Sequence, residues 1–358
     1  MRTVMISKYC YLTPVQTLFL KGFAILCIMS HNFFHWVPPV TYENEMHFYP
    51  MYFSRFLQDF TWPDAINCLF SFWGFYGVYL FIFLSGYGLT KSFANHHTER
   101  NIRFIGRHIA KIYLLFLCSA ALYLFIVPKV NYRAVLHVLS LTTNLSPETL
   151  FLVCGPWWFF SLIIQLYLLF LFLYKFIQKD ISNIVLICFS YLLINSLALY
   201  WMKYCGTGIG LYSNAIGHIP EFSLGIFVAI YEKRLTFLEN KTFNAIVFLL
   251  SLIVLIIAQL SQYVFIFSFT ASVALFLCGY RLIGQTTSHF LIFTGKLSPY
   301  LFGFNGFLYR GYFVKSARLG DSAVWDILYW LIWLGINYVF AYTAYKLCCF
   351  IHNLRRSS

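Results

Sequence analysis

Four ionisable side chains lie inside stretches that are otherwise apolar: Lys21, His31, Glu221 and Lys296. A charged group in hydrocarbon costs at least about 2.5 kcal/mol on insertion scales, so each must snorkel, pair or face a polar cavity. His31 is the one best suited to chemistry. A neutral imidazole, with a reference pKa of about 6.5, can take a proton from a hydroxyl and return it, as acyl transfer to an alcohol requires. Lys21 lies in the same run, LKGFAILCIMSHNFFHW, about 15 Å from His31 along a helix. It reads either as a cation near the site or as an anchor snorkelling to the inner boundary. His35 nears the outer boundary and reads as structural.

Glu221 follows His218 by three residues, which puts both on one helical face. The pair either hold each other by hydrogen bond, or Glu221 orients a catalytic imidazole or a sugar hydroxyl. Arg107, His108 and Lys111 fall within about one helical turn and could form a concentrated anion site, suited to a diphosphate such as that of coenzyme A. Trp157 and Trp158 could stack on sugar faces, although aromatic belts at a membrane interface account for such residues equally well. Ser161, His218 and Asn305 complete the polar set assigned to an acceptor.

Membrane helices must position these groups. The chain is 60% hydrophobic and 10% charged, with a mean hydropathy of +0.72, whereas a soluble domain carries about 25% charged residues. Long continuous apolar stretches satisfy their own backbone hydrogen bonds only as helices, and the strict short alternation of a membrane barrel is absent. Spans are expected near residues 14–37, 68–92, 105–127, 150–177, 182–202, 209–231, 242–260, 262–282, 289–312 and 324–351. The fold class is therefore an all-α polytopic membrane protein of about ten helices, one membrane-embedded domain over 1–358.

With the N-terminus in the cytoplasm, roughly sixteen Lys and Arg fall inside, from Arg2, Lys8 and Arg100 to Arg355 and Arg356. Roughly seven, among them Lys129, Lys203 and Arg310, fall outside. That bias places both termini in the cytoplasm. The net charge of +13 is thus topological, and nucleic acid is not expected as a partner. The ten cysteines form no CxxC pair and no metal spacing with His, so no metal is expected. No cleavable signal peptide is expected before the first span. Short amphipathic helices are expected in the outside segments 38–66 and 128–149.

Six segments in order resemble the acyltransferase family 3 of integral membrane acyltransferases over nearly the whole chain: KGFAILCIMSH, GVYLFIFLSGYGL, RHIAKIY, PWWFFSLIIQLYLL, HIPEFSLGI and GKLSPYLFGFN. The resemblance implies a ten-helix O-acetyltransferase of a bacterial cytoplasmic membrane. It would move acetyl from acetyl-CoA, with no metal, to a hydroxyl of a cell-envelope or extracellular polysaccharide. By position, His31 would be the base, Lys21 the first-span cation, and Arg107, His108 and Lys111 the cluster facing the donor. Lys21 stands where Arg is usual, Tyr79 where Asp is usual, and Asn305 where a late His is usual. The spacing to His31 is one residue shorter than the commonest form, which turns the two side chains about 80° apart. The alternative from another class is a transporter or flippase for a glycan or lipid-linked sugar. Against it, no internal repeat or inverted halves are found.

Overall fold

The computed structural model describes residues 11–39, 42–46, 48–95, 101–127, 131–145, 149–205, 211–284, 286–320 and 322–357. Arg2, Lys8, Arg100 and Lys129, and the side chains of Lys203, Arg355 and Arg356, lie outside the described residues. Among the described residues every regular element is helical: α1 Pro14–Phe34, α2 Pro50–Asp59, α3 Ala65–Trp73, α4 Gly77–Ala94, α5 Asn101–Ile126, α6 Tyr132–Leu139, α7 Trp158–Lys179 and α8 Asn183–Cys205. The chain continues through α9 Ile219–Tyr231, α10 Lys241–Ala258, α11 Gln262–Phe265, α12 Phe267–Leu282, α13 His289–Phe304, α14 Arg310–Gly320 and α15 Ala323–Ser357.

Each of the ten expected spans contains a helix. Among the described residues seven helical stretches are long and apolar enough to cross a membrane, and α9 and α12 belong to shorter apolar ones. Large side chains such as Leu186, Phe189, Leu193 and Leu197 of α8 point outward and are exposed. That surface is untenable in water and comfortable in hydrocarbon, so the protein is a polytopic membrane protein. The segments 38–66 and 128–149 do carry short helices, α2 and α6.

Local chemistry sets the ends of the helices that matter most. The Thr13 hydroxyl accepts from the Gln16 amide at 3.2 Å while the Gln16 side chain accepts from the Thr13 amide at 2.8 Å, a capping box that starts α1 with Pro14 in its first turn. Helix α13 stops at Phe304 rather than running to 312. The Asn305 amide turns back to donate to the carbonyls of Leu301 and Phe302, at 3.2 and 2.8 Å, and the chain leaves the helix there. Likewise α9 begins only at Ile219, with Pro220 in its first turn, after a turn of tighter helix at Ile216–His218.

Small residues bring the central helices together. A Cβ on Gly22 of α1 would lie 1.9 Å from the Leu291 carbonyl oxygen of α13, and one on Gly295 would lie 1.9 Å from that of Leu18. Helices α4 and α9 approach in the same way through Gly86 and Gly225. The end of the bundle where α1 begins is tied by polar contacts: Glu232 accepts from Lys91 Nζ at 2.7 Å, from the Tyr87 hydroxyl at 3.0 Å and from the Tyr11 amide at 3.1 Å.

Candidate active site

Where α1 finishes, a cavity of about 450 Å3 opens between α1, the loop 42–46, the segment leading into α7, and Arg310. His31 forms part of its wall and is only 4% exposed. Its Nδ1 lies 3.0 Å from the Ser71 carbonyl oxygen. A carbonyl only accepts, so the proton belongs on Nδ1, and the lone pair of the neutral ring is on Nε2. This contact depends on Gly74, since a Cβ there would stand 2.7 Å from the Cys27 oxygen and 2.8 Å from His31 Cβ. Glycine therefore lets the chain between α3 and α4 lie directly against the imidazole.

Two carboxylates from the loop close over the imidazoles of His31 in α1 and His35 at its C-cap. Glu45 Oε2 is 3.7 Å from His31 Nε2, and Glu43 pairs with His35 Nδ1. The residue between them anchors the loop. Buried Asn44 donates to Gln259 Oε1 at 3.1 Å and accepts from the Tyr49 amide at 2.8 Å, while Gln259 donates to the Tyr76 hydroxyl at 2.9 Å. Asn32, beside His31 in sequence, lines the cavity and donates to Asn305 Oδ1 at 2.7 Å. The residue that ends α13 thus also holds a polar side chain of the cavity wall.

Of the residues singled out in the sequence, His31, His35 and Trp158 line this cavity. Asn305 reaches it through Asn32. Trp157 does not: its indole donates to the Gly303 carbonyl at 3.0 Å, and Phe116, Tyr123 and Phe307 enclose its ring. Ser161 is buried one turn into α7, and its hydroxyl makes no hydrogen bond among the described residues. His218 and Glu221 are fully buried one ring behind the cavity, with the Trp158 and His218 ring centroids 6.4 Å apart. His218 Nδ1 is 3.7 Å from Glu221 Oε2, His218 Nε2 is 2.8 Å from the Tyr212 carbonyl, and Thr270 donates to Glu221 Oε1 at 3.1 Å. Tyr79 stacks on Phe269 at 4.3 Å beside them.

Lys21 is half-buried one and a half helical turns or more below the cavity and is not part of its wall. Arg107, His108 and Lys111 lie at the opposite end of the bundle from His31. Gly74, before α4, packs on His31, whereas Tyr87 near its other end accepts from the Leu12 amide at 3.0 Å. Beyond it Phe93 meets Phe104 of α5, and the Phe104 ring lies 4.3 Å from that of His108. Leu12 to His31 along α1 corresponds to about 28 Å, close to the hydrocarbon thickness of a bilayer.

Sequence reasoning missed Glu43, Glu45, Asn44, Asn32 and Arg310. The available signal was two glutamates following two histidines within a short stretch, but nothing in their spacing showed that the chain doubles back. Arg310, by sequence an outside charge, is a cation on the cavity wall, 5.9 Å from the Trp36 ring centroid. Ligand atoms of His31, His35 and Glu43 lie within 4.8 Å of one another, a grouping that could hold a metal ion.

Six motifs in order, a buried imidazole with its lone pair on a cavity, and an all-helical membrane bundle are joined by a direct comparison. The family model for the acyltransferase domain, acyltransferase 3, matches residues 19–350. No curated protein and no solved structure matches the chain. A family match over nearly the whole chain decides between the two classes that the sequence left open, transferase and transporter. The chain belongs to the acyltransferase 3 family and is a membrane acyltransferase of the O-acyl type.

Proposed function

We propose that the protein moves a short acyl group, such as acetyl, from an acyl-coenzyme A to a hydroxyl of a glycan that occupies the His31 cavity. The observation that carries this reading is His31, held at Nδ1 by the Ser71 carbonyl with Nε2 facing a chamber walled by aromatic rings and carboxylates. Trp158, Tyr42 and Phe75 offer flat apolar faces for the C–H faces of a sugar, while Asn32 and Glu45 offer polar atoms for its hydroxyls. In the reaction the acceptor oxygen attacks the thioester carbonyl as its proton passes to His31 Nε2. The C–S bond then breaks, and the sulfur leaves as a thiol with the proton that Nε2 returns. The carboxylate of Glu45 favours the imidazolium formed between these two steps.

Arg107, His108 and Lys111 suit the donor's phosphates, and their separation from His31 implies that donor and acceptor approach from opposite faces of the membrane. The excess of basic residues in alternate loops supports a cytoplasmic face at the end where α1 begins, in a bacterial cytoplasmic membrane, with both termini inside. Glu221 and His218 would then steady Trp158 from behind rather than meet substrate.

The test is thiol release from acetyl-coenzyme A by purified protein with an envelope glycan extract. His31→Ala is expected to lower turnover by about 10²- to 10⁴-fold with little change in melting temperature. Near wild-type turnover would remove His31 from the reaction.

A further inference from the structure

The cluster at the cavity mouth contains more ligand-type atoms than a general base needs. His31 and His35 are four residues apart and share a face of α1 and its cap, with ring centroids 5.3 Å apart. The loop anchored by Asn44 brings Glu43 to the same place. The donor atoms of His31, His35 and Glu43 all fall within 4.8 Å, and Glu45 Oε2 is 3.7 Å from His31 Nε2. Around a tetrahedral ion with bonds of about 2.0–2.2 Å, ligand atoms sit about 3.3–3.6 Å apart, so small adjustments of these side chains complete the geometry. His35 Nδ1 and Glu43 Oε2 touch, yet both atoms are shielded from solvent and neither has hydrogen-bond geometry. Buried atoms of this kind are suited to a shared ligand.

We infer that this mouth binds a divalent transition-metal ion of the zinc class through His31, His35 and Glu43, with Glu45 available as a fourth ligand, and that the bound ion switches acyl transfer off. Imidazole nitrogens with carboxylate oxygens suit zinc, whereas magnesium and calcium prefer all-oxygen sites. The Ser71 carbonyl on His31 Nδ1 fixes the ring with Nε2 presented, the usual outer support of a metal-bound histidine. One lone pair serves one partner: with zinc on Nε2, no acceptor proton can be taken there. The binding half of the inference stands on the cluster alone; the switching half rests on the proposed role of His31.

Calorimetric titration of zinc chloride into the purified full-length protein in detergent, after chelation and buffer exchange, reads the binding. One saturable site per chain is expected, weakened at least tenfold in His35→Ala and in Glu43→Gln, with the melting temperatures of the metal-free proteins compared as a check on folding. Acyl transfer followed by mass spectrometry of the glycan should fall with zinc in the wild type and recover with EDTA. His35→Ala, compared with and without zinc at whatever basal rate it retains, should lose the inhibition. Absence of saturable binding, or equal binding by both variants, overturns the metal site and leaves the His31 base untouched. Zinc bound at this site with transfer unchanged overturns the switch, and the His31→Ala turnover measurement decides separately whether His31 is the base.

Discussion

His31 gains its chemical character from three neighbours, two from the end of α3 and the turn that leads to α4 and one from the loop that follows α1. Ser71 fixes which nitrogen holds the proton, Gly74 allows that contact, and Glu45 faces the nitrogen left bare. A charge at 3.7 Å in a partly screened site is worth a few kcal/mol at most when an imidazolium forms. Glu45→Gln keeps the side chain's shape and removes that charge, so turnover should fall by about ten- to a hundredfold, less than for His31→Ala. Steady-state kinetics on both variants would check the order; a Glu45→Gln enzyme as fast as wild type would show that the carboxylate gives no such help. Asn305 illustrates how a residue that replaces a familiar one takes other work. It ends α13 and grips Asn32, so its amide shapes the cavity wall through that side chain.

Helices hold these residues in register through close approach rather than through apolar attraction, which is weak between helices in hydrocarbon. Gly22 and Gly295 let α1 and α13 touch backbone to backbone, and the same two helices meet again at Asn32 and Asn305. A methyl group at either glycine would overlap a carbonyl and push the pair apart, at a cost of about 1–3 kcal/mol. Gly22→Ala and Gly295→Ala should therefore lower the melting temperature in detergent and reduce activity through the displaced Asn32. Gly106 of α5 has nothing within 4 Å of its added Cβ. Gly106→Ala should be neutral or stabilise by up to about 1 kcal/mol, as removal of a helix-interior glycine does. Equal thermal shifts in all three variants would deny the close-packing account.

Across the whole molecule, the cavity and the basic cluster of α5 occupy opposite ends of the bundle, and the contacts of Glu232 with Tyr11, Tyr87 and Lys91 close the end that lacks the cavity. In a background freed of the exposed Cys118, Cys188 and Cys348, Tyr42→Cys should react with a membrane-impermeant thiol reagent added to intact cells. Arg107→Cys should react only after the cytoplasmic face is opened, and labelling of both from one side would refute the two-sided arrangement. The sequence by itself determined the membrane class, the all-helical architecture and the family, because apolar length, sparse charge and short ordered motifs are local properties. It also marked His31, since an ionisable ring in an apolar run is conspicuous wherever the run ends up. Only the tertiary structure decided the company His31 keeps. Glu43 and Glu45 sit in a loop whose direction is set by Asn44 meeting Gln259, a contact between distant parts of the chain that no local pattern encodes. The same reason separates Trp157 from Trp158: adjacent in sequence and alike in chemistry, they differ because packing against α13 turns one ring inward and leaves the other on the cavity.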